Sequence, residues 1–190
     1  MNSGWRKCII NDLGKIVNGG TPKTSISEFW DGDVSWITPR DMSQQLNKKY
    51  ISEGARYITD IGLNNSSAKI LPKGTVLFTS RAPIGYLGIA SQDLATNQGF
   101  KNIIVNEENN NEFVYYLLKY SITKIINLAG GSTFKEINTS SFRQIEIEVP
   151  HLLTQQKIAS ILFSLDDKIE NNRKTCEKVE THALKYVALT

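Results

Sequence analysis

The chain has 190 residues, 40% of them hydrophobic, and a formal net charge of +3. This composition is ordinary for a globular domain and excludes a disordered chain, while the mild positive charge permits nucleic-acid binding without requiring it. The longest unbroken apolar run is the six residues 113–118. A membrane span needs roughly 20 apolar residues, so we expect no membrane association.

The cysteine and histidine residues limit the possible chemistry. Cys8 and Cys176 lie far apart, and the first residues carry no signal-peptide pattern. Both features indicate a reducing, cytoplasmic location. His151 and His182 have no neighbouring ligands at metal-binding spacing, so we predict no metal site and no histidine-dependent nucleophile.

Residues 1–150 alternate short apolar runs with turn signals. The pattern predicts strands over 75–79, 100–105 and 144–149. Helical spacing predicts one helix over 114–129, with asparagine caps at 109–111 and a stop at Gly130-Gly131. We therefore predict an α+β domain over residues 1–150, with twisted β-sheets and short helices.

Residues 151–190 contain no proline or glycine. Apolar or small residues recur at steps of four and three, which predicts one long coiled-coil helix that needs a second helix to cover its seam. A helix folded back on its own domain is the alternative. We predict a homodimer through the seam residues Ile158, Leu162, Leu165, Ile169, Asn172, Cys176, Val179, Ala183 and Tyr186.

Five polar loops combine hydroxyl or amide groups with a lysine or arginine. They are loop 1 (19–25), loop 2 (38–41), loop 3 (79–83), loop 4 (96–101) and loop 5 (130–135). Such side chains can contact phosphates and the edges of bases. The candidate DNA-binding residues are Lys23, Thr24, Ser25, Arg40, Ser80, Arg81, Asn97, Gln98, Lys101, Thr133 and Lys135.

Signatures of DNA-modifying enzymes are missing from the sequence. It contains no phosphate-binding GxxxxGK[ST] loop, no GxGxxG turn and no Asn/Asp-Pro-Pro-aromatic motif. Asp166-Asp167-Lys168 has part of a nuclease pattern but lies on the predicted long helix. We therefore expect no catalytic residue and no cofactor bound by this chain.

An ordered set of motifs resembles the specificity subunit of a type I restriction-modification system over nearly the whole chain. The motifs are Trp5, Leu13-Gly14, Gly19-Gly20-Thr21-Pro22, Phe29-Trp30-Asp31-Gly32, Trp36-Ile37-Thr38, Tyr57-Ile58-Thr59, Pro72-Lys73-Gly74-Thr75, Arg81-Ala82-Pro83-Ile84-Gly85, Asn97-Gln98-Gly99, Gly131-Ser132-Thr133 and Gln155-Gln156-Lys157-Ile158-Ala159. The resemblance implies a target recognition domain over 1–150 and a conserved spacer helix over 151–190.

The resemblance also implies a non-catalytic reader of double-stranded DNA. Its partners would be modification subunits that methylate adenine with S-adenosylmethionine and a restriction subunit that uses ATP and Mg²⁺. Members of this family usually carry two recognition domains and two antiparallel spacer helices, so this chain is either a half-subunit or the N-terminal half of a longer protein. The alternatives are a restriction endonuclease or methyltransferase with the same type of recognition domain, or a coiled-coil protein-interaction module.

Overall fold

The computed structural model describes residues 4–81, 83–131 and 135–187, and the side chains of those residues up to 180. The predicted contact at Thr133 lies outside the described residues, as do the side chains of Ala183 and Tyr186. The described strands are β1 (Trp5–Ile9), β2 (Gly14–Asn18), β3 (Trp30–Ile37), β4 (Tyr50–Ile51), β5 (Arg56–Ile58), β6 (Val76–Phe78), β7 (Leu87–Ala90), β8 (Ala95–Thr96), β9 (Lys101–Val105) and β10 (Glu146–Pro150). The described helices are α1 (Pro39–Gln44), α2 (Asp60–Asn64), α3 (Asn111–Leu128), α4 (Thr139–Arg143) and α5 (Leu152–Val187).

These strands form three sheets. The central sheet has the order β2-β9-β6-β7-β4, a second sheet has the order β5-β3-β8, and β1 pairs with β10 alone. The largest hydrophobic cluster lies between the central sheet, α3 and the β1–β10 pair, and a smaller cluster surrounds Trp30 and Trp36. The strands predicted over 75–79, 100–105 and 144–149 are confirmed as β6, β9 and β10, with slightly different bounds.

Helix α3 begins where the asparagine run predicts. The Asn110 side chain accepts a hydrogen bond from the backbone N–H of Phe113 at 2.8 Å, which satisfies one free donor of the first turn. The helix ends at Leu128, and its buried face includes Val114, Leu118 and Ile125. The predicted helix over 114–129 is therefore confirmed.

Helix α5 has 36 residues, which corresponds to a length of about 54 Å at about 1.5 Å per residue. Ala159 is buried, and Ile158 and Leu162 pack against the core of their own domain. These two partly buried seam residues thus help to attach α5 to its own domain, and their predicted place in a dimer interface stays a prediction. From Leu165 to Val179 the seam is open, with Leu165, Ile169 and Val179 52%, 58% and 62% exposed.

Gln155 joins the first turn of α5 to the start of α3. Its buried side-chain amide donates to Asn109 Oδ1 and to the Pro150 carbonyl, each at 3.0 Å. The amide oxygen accepts from the backbone N–H of Asn110 at 3.0 Å. Three hydrogen bonds from one side chain thus fix the start of the long helix.

We expect Gln155→Leu to lower the free energy of unfolding by about 2–4 kcal/mol, because it leaves buried donors and acceptors unpaired. The neighbouring Gln156 is exposed, so Gln156→Leu serves as the control, with an expected change within about 0.5 kcal/mol. Urea unfolding of the two variants measures both values. Equal destabilisation by the two changes would contradict the assigned role of Gln155.

Candidate nucleic-acid interface

Loop 4 links loop 1 to the rest of the domain. The backbone N–H of Gly20 donates to the Thr96 carbonyl at 2.8 Å. The Thr21 hydroxyl donates to the side-chain oxygen of Gln98. These two contacts bring loops 1 and 4 side by side.

Loops 2 and 3 contact loop 4 around Gly99. The backbone N–H of Ser80 donates to the Gly99 carbonyl at 2.7 Å, and the N–H of Asn97 donates to the Ile37 carbonyl at 2.9 Å. A Cβ atom at Gly99 would lie 3.4 Å from both Arg81 Nε and Pro39 Cγ. Residues of loops 2 and 3 therefore lie within van der Waals distance of loop 4 at Gly99.

Loop 5 is joined to loop 3 by the backbone and by an ion pair. The N–H of Ile137 donates to the Ser80 carbonyl at 2.9 Å, and Arg81 forms an antiparallel bridge with Glu136. Arg81 Nη1 also lies 4.0 Å from Glu136 Oε2. All five polar loops are thus connected in one region, although the sequence separates them by more than 100 residues.

We use the term polar face for the accessible predicted residues of these loops. Its members are Lys23, Thr24, Ser25, Arg40, Arg81, Asn97, Gln98 and Lys135. Lys23, Arg40 and Lys135 are exposed, and the side chain of Arg81 is 39% exposed. The cations on this face can therefore reach an anionic partner.

Two predicted contact residues are not accessible in this structure. Ser80 is fully buried, and its hydroxyl donates to the Gly99 carbonyl at 3.1 Å. Lys101 is only 6% exposed, and burial lowers the pKa of its ammonium group, an effect that nearby Glu136 opposes. This corrects the expectation for both residues, because burial leaves their side chains no surface for a DNA contact.

Two tryptophans hold loop 1 in place. The indole N–H of Trp36 donates to the Gly20 carbonyl at 2.9 Å, and that of Trp30 donates to the Lys23 carbonyl at 3.2 Å. The two rings pack edge to face with their centroids 5.1 Å apart. Their polar edges thus satisfy loop carbonyls while their apolar faces form a small core.

Arg56 is a cation that the sequence analysis missed. Its guanidinium group stacks over the Trp30 ring, 3.4 Å from the centroid, next to the tryptophan edge that binds loop 1. Arg56 is exposed. No local motif marks this residue, since the stack depends on the pairing of β5 with β3.

Asp41 anchors the first turn of α1, the turn on which Arg40 lies. Its buried carboxylate accepts from the Thr38 N–H at 2.8 Å, the Thr38 hydroxyl at 2.6 Å and the Ala55 N–H at 2.9 Å. The Thr38 oxygen in turn accepts from the Asp41 N–H, which completes a capping box. The carboxylate therefore joins α1 to the segment before β5.

We expect Asp41→Ala to lower the free energy of unfolding by about 2–4 kcal/mol, since it removes a charged acceptor from two backbone donors. Asp60 also lies in the first turn of a short helix but is exposed, and Asp60→Ala is the control with an expected loss of at most about 1 kcal/mol. Urea titration followed by tryptophan fluorescence separates the two cases. A loss for Asp41→Ala no larger than that of the control would refute the role assigned to the carboxylate.

The described part of the chain offers neither a metal site nor a membrane span. Within residues 4–81, 83–131 and 135–180 no group of three or more metal-ligating side chains occurs. No helix in the described part of the chain is both long and apolar enough to cross a membrane.

Comparison with known proteins identifies the family. Residues 2–181 match the family model described as the type I restriction modification DNA specificity domain. The chain belongs to this family. The resemblance noted from the ordered motifs is thereby confirmed.

Two relatives of this chain are specificity subunits that are longer than the chain itself. The chain is 45% identical to the type I restriction enzyme MjaIX specificity subunit of Methanocaldococcus jannaschii, over 95% of this chain and 42% of the relative. It is 34% identical to the HindI specificity subunit of Haemophilus influenzae, over 90% of this chain and 39% of the relative. The specificity domain thus spans about two fifths of the length of these relatives.

Solved structures share the fold of the specificity domain. The HsdS subunit from Thermoanaerobacter tengcongensis superposes with a TM-score of 0.70 at 16% identity, over 92% of this chain and 40% of that chain. A chain of a type I R-M system gives a TM-score of 0.74 at 18% identity, over 96% of this chain and 43% of that chain. The predicted α+β class with a long C-terminal helix is confirmed.

Proposed function

We propose that this chain recognises a short sequence of double-stranded DNA through the polar face, as the specificity component of a type I restriction-modification system. The observation that carries the proposal is the connection of all five polar loops in one region, with loops 2, 3 and 4 meeting at Gly99. A duplex presents closely spaced phosphates and base edges, and one surface that combines cations with amides can contact both.

The residues of the polar face divide by their chemistry. Lys23 and Lys135 are exposed point charges suited to phosphates, which position a protein without reading sequence. Arg81, Asn97 and Gln98 can form paired hydrogen bonds with base edges, and they lie together around loop 4. Arg40 and Arg56, held on α1 and over Trp30, extend the cationic surface.

The partners follow from the family. Both relatives are specificity subunits of restriction enzymes, and by analogy this chain would direct modification subunits that methylate adenine and a restriction subunit that cleaves DNA. S-adenosylmethionine, ATP and Mg²⁺ would then belong to those partners. A subunit that reads cellular DNA for them works in the cytoplasm.

The open seam of α5 supports pairing with a second helix. Leu165, Ile169, Cys176 and Val179 are exposed along one stripe, with Asn172 among them. In an antiparallel pair of chains a two-fold axis would make this stripe self-complementary and place the two domains at opposite ends. Each domain would read one half-site of an inverted repeat. In a longer protein the second half of the chain would supply the partner helix.

Selection of bound duplexes from a random-sequence library tests the proposed function. We expect enrichment of one short sequence motif, present as an inverted repeat with unread base pairs between its halves. We also expect no cleavage or methylation by the chain alone when Mg²⁺, ATP and S-adenosylmethionine are supplied. Recovery of unselected sequences at every salt concentration would overturn the proposed function, as would turnover that a point mutation in this chain abolishes.

A further inference from the structure

The ammonium group of Lys49 is buried where α5 leaves the domain. Its Nζ atom has almost no solvent-accessible surface and, among the described residues, no hydrogen-bond partner. The nearest opposite charge is Glu112 Oε1 at 3.8 Å. A buried ammonium group normally has a hydrogen-bond partner, so other groups around Lys49 have to stabilise its charge.

Three aromatic rings surround the ammonium group. Nζ lies 3.7 Å from the centroid of the Phe163 ring, 5.0 Å from that of Tyr50 and 5.6 Å from that of Tyr116. The negative faces of aromatic rings attract a cation, and more strongly where water is excluded. The rings come from three elements: Phe163 from α5, Tyr116 from α3 and Tyr50 from β4.

Two carboxylates complete this arrangement. Glu112 accepts a hydrogen bond from the Tyr50 hydroxyl. Asp166 accepts one from the Tyr116 hydroxyl at 2.9 Å and lies 3.8 Å from Lys119 Nζ. Burial lowers the pKa of Lys49, and the charges of Glu112 and Asp166 oppose that shift. We call Lys49 with its three rings and two carboxylates the lysine cage.

The lysine cage is the outer attachment point of α5. Gln155 and Ala159 are buried at the base of the helix, and the two members of the cage that α5 supplies, Phe163 and Asp166, lie about two turns further on. Every described side chain from 171 to 180 is exposed. The helix therefore leaves its domain at the lysine cage.

A small change in direction at this point has a large effect at the far end of α5. The helix continues for 21 residues from Asp166 to Val187, or about 32 Å at about 1.5 Å per residue. A tilt of about 10° would move its end by about 5–6 Å, whereas successive base pairs are only about 3.4 Å apart.

We propose that Lys49 is a positioning residue that fixes the direction of α5 and thereby the number of base pairs between the two half-sites. The proposal rests on the proposed function, because spacing matters only if two domains read one duplex. Lys49 acts through Phe163 and Asp166 on the helix, and it contacts no DNA itself.

Distances between nitroxide labels test the direction of α5 without DNA. One label is placed on Lys178→Cys, which lies off the seam, and the other on Asn64→Cys, both exposed, in a chain that carries serine at Cys8 and Cys176. The labelled chain is diluted with unlabelled chain that carries serine at both native cysteine positions, so that only distances within one chain contribute. We expect one narrow distance distribution by double electron–electron resonance, and a clear broadening in Lys49→Met.

The control is Lys15→Met, the same change at an exposed lysine of β2, which is expected to keep the narrow distribution. Phe163→Leu removes one ring and keeps the lysine, and it should broaden the distribution as Lys49→Met does. Lys49→Arg keeps the cation and should restore much of the narrow distribution. A folded Phe163→Leu or Lys49→Met chain with the parent distribution would overturn the proposal.

Selection from the random duplex library then tests the consequence for spacing. The parent chain should enrich a single spacing, whereas Lys49→Met should enrich the same half-sites at two or more spacings. If the parent enriches no sequence, the proposed function fails while the label distances still decide the role of Lys49. If Lys49→Met keeps the single spacing of the parent, the proposal is wrong and DNA recognition stands.

Discussion

Ile169→Glu is expected to convert a dimer of this chain into monomers. Ile169 is 58% exposed on the open part of the α5 seam, where a second helix would cover it. Each copy would lose the burial of one isoleucine, worth roughly 1.5–3 kcal/mol. In a two-fold symmetric dimer this loss occurs in both copies. At 1.4 kcal/mol per factor of ten, the dimer dissociation constant should rise at least about 100-fold.

The control for this change is Asn171→Glu, on the opposite side of α5 from Ile169. Asn171 is exposed, and it lies two residues along the helix, a rotation of about 200° at about 3.6 residues per turn. It adds the same charge without touching the seam, and the dimer should persist. Sedimentation equilibrium of the parent and both variants measures the association. A parent chain that stays monomeric at high concentration would show that the seam requires a different helix.

Arg81→Ala is expected to weaken DNA binding by about 5- to 150-fold, corresponding to roughly 1–3 kcal/mol for a bidentate base contact. Arg81 is partly exposed beside Gly99, where loops 2, 3 and 4 meet. Loss of a base contact should also relax the sequence preference at one position. Loss of a phosphate contact should instead weaken binding to all sequences and reduce the salt dependence.

Arg6→Ala is the matched control for Arg81→Ala. Arg6 is also an accessible arginine paired with a glutamate, Glu108, at 3.7 Å. The β2–β9 pair has two ends: Gly14 pairs with Val105 at one, and Asn18 pairs with Lys101 at the other, beside the polar face. The partner of Arg6, Glu108, follows Val105 closely in the chain, so Arg6 lies near the end away from the polar face. Titration of both variants with the selected duplex at several salt concentrations compares them. Equal affinity of parent and Arg81→Ala would place the DNA elsewhere on the domain.

Local sequence signals predicted the two long helices. Helix α3 has apolar spacing and an asparagine cap, and α5 lacks glycine and proline over a regular seam, so each carries its own evidence. Both signals act within a few turns and do not depend on distant contacts. The same patterns divided the chain at residue 150, whereas the expected roles of the two parts came from the resemblance to the family.

The sequence pattern did not predict strand β3, because several of its residues are unfavourable in a strand. It contains Gly32 and two aspartates, Asp31 has a φ of 63°, and the register against β5 shifts between Trp30 and Val34. These features are unfavourable in a regular strand. A Cβ atom at Gly32 would lie 2.6 Å from Thr59 Cα, so the close approach of another backbone requires the glycine.

The polar loops were predicted by their residue types, whereas the exposure of each side chain was not. Ser80 and Lys101 have the same chemistry as their accessible neighbours, but long-range packing buries them. Lys49 gave no signal at all, because its cage is assembled from α3, α5 and β4. Burial and cages are properties of the tertiary structure, which residue spacing does not encode.

The pairing of β1 with β10 has a consequence for how the chain folds during synthesis. Trp5 pairs with Pro150, which is synthesised 145 residues later. Strand β1 therefore remains without its partner strand for about 7–30 s at the usual synthesis rate of about 5–20 residues per second. Pairings this distant in sequence also form slowly. Because α5 leaves the ribosome after β10, the domain can close before the exposed seam of α5 is complete. If two copies pair through this seam, they would then meet as folded domains, which limits exchange of β1 between them.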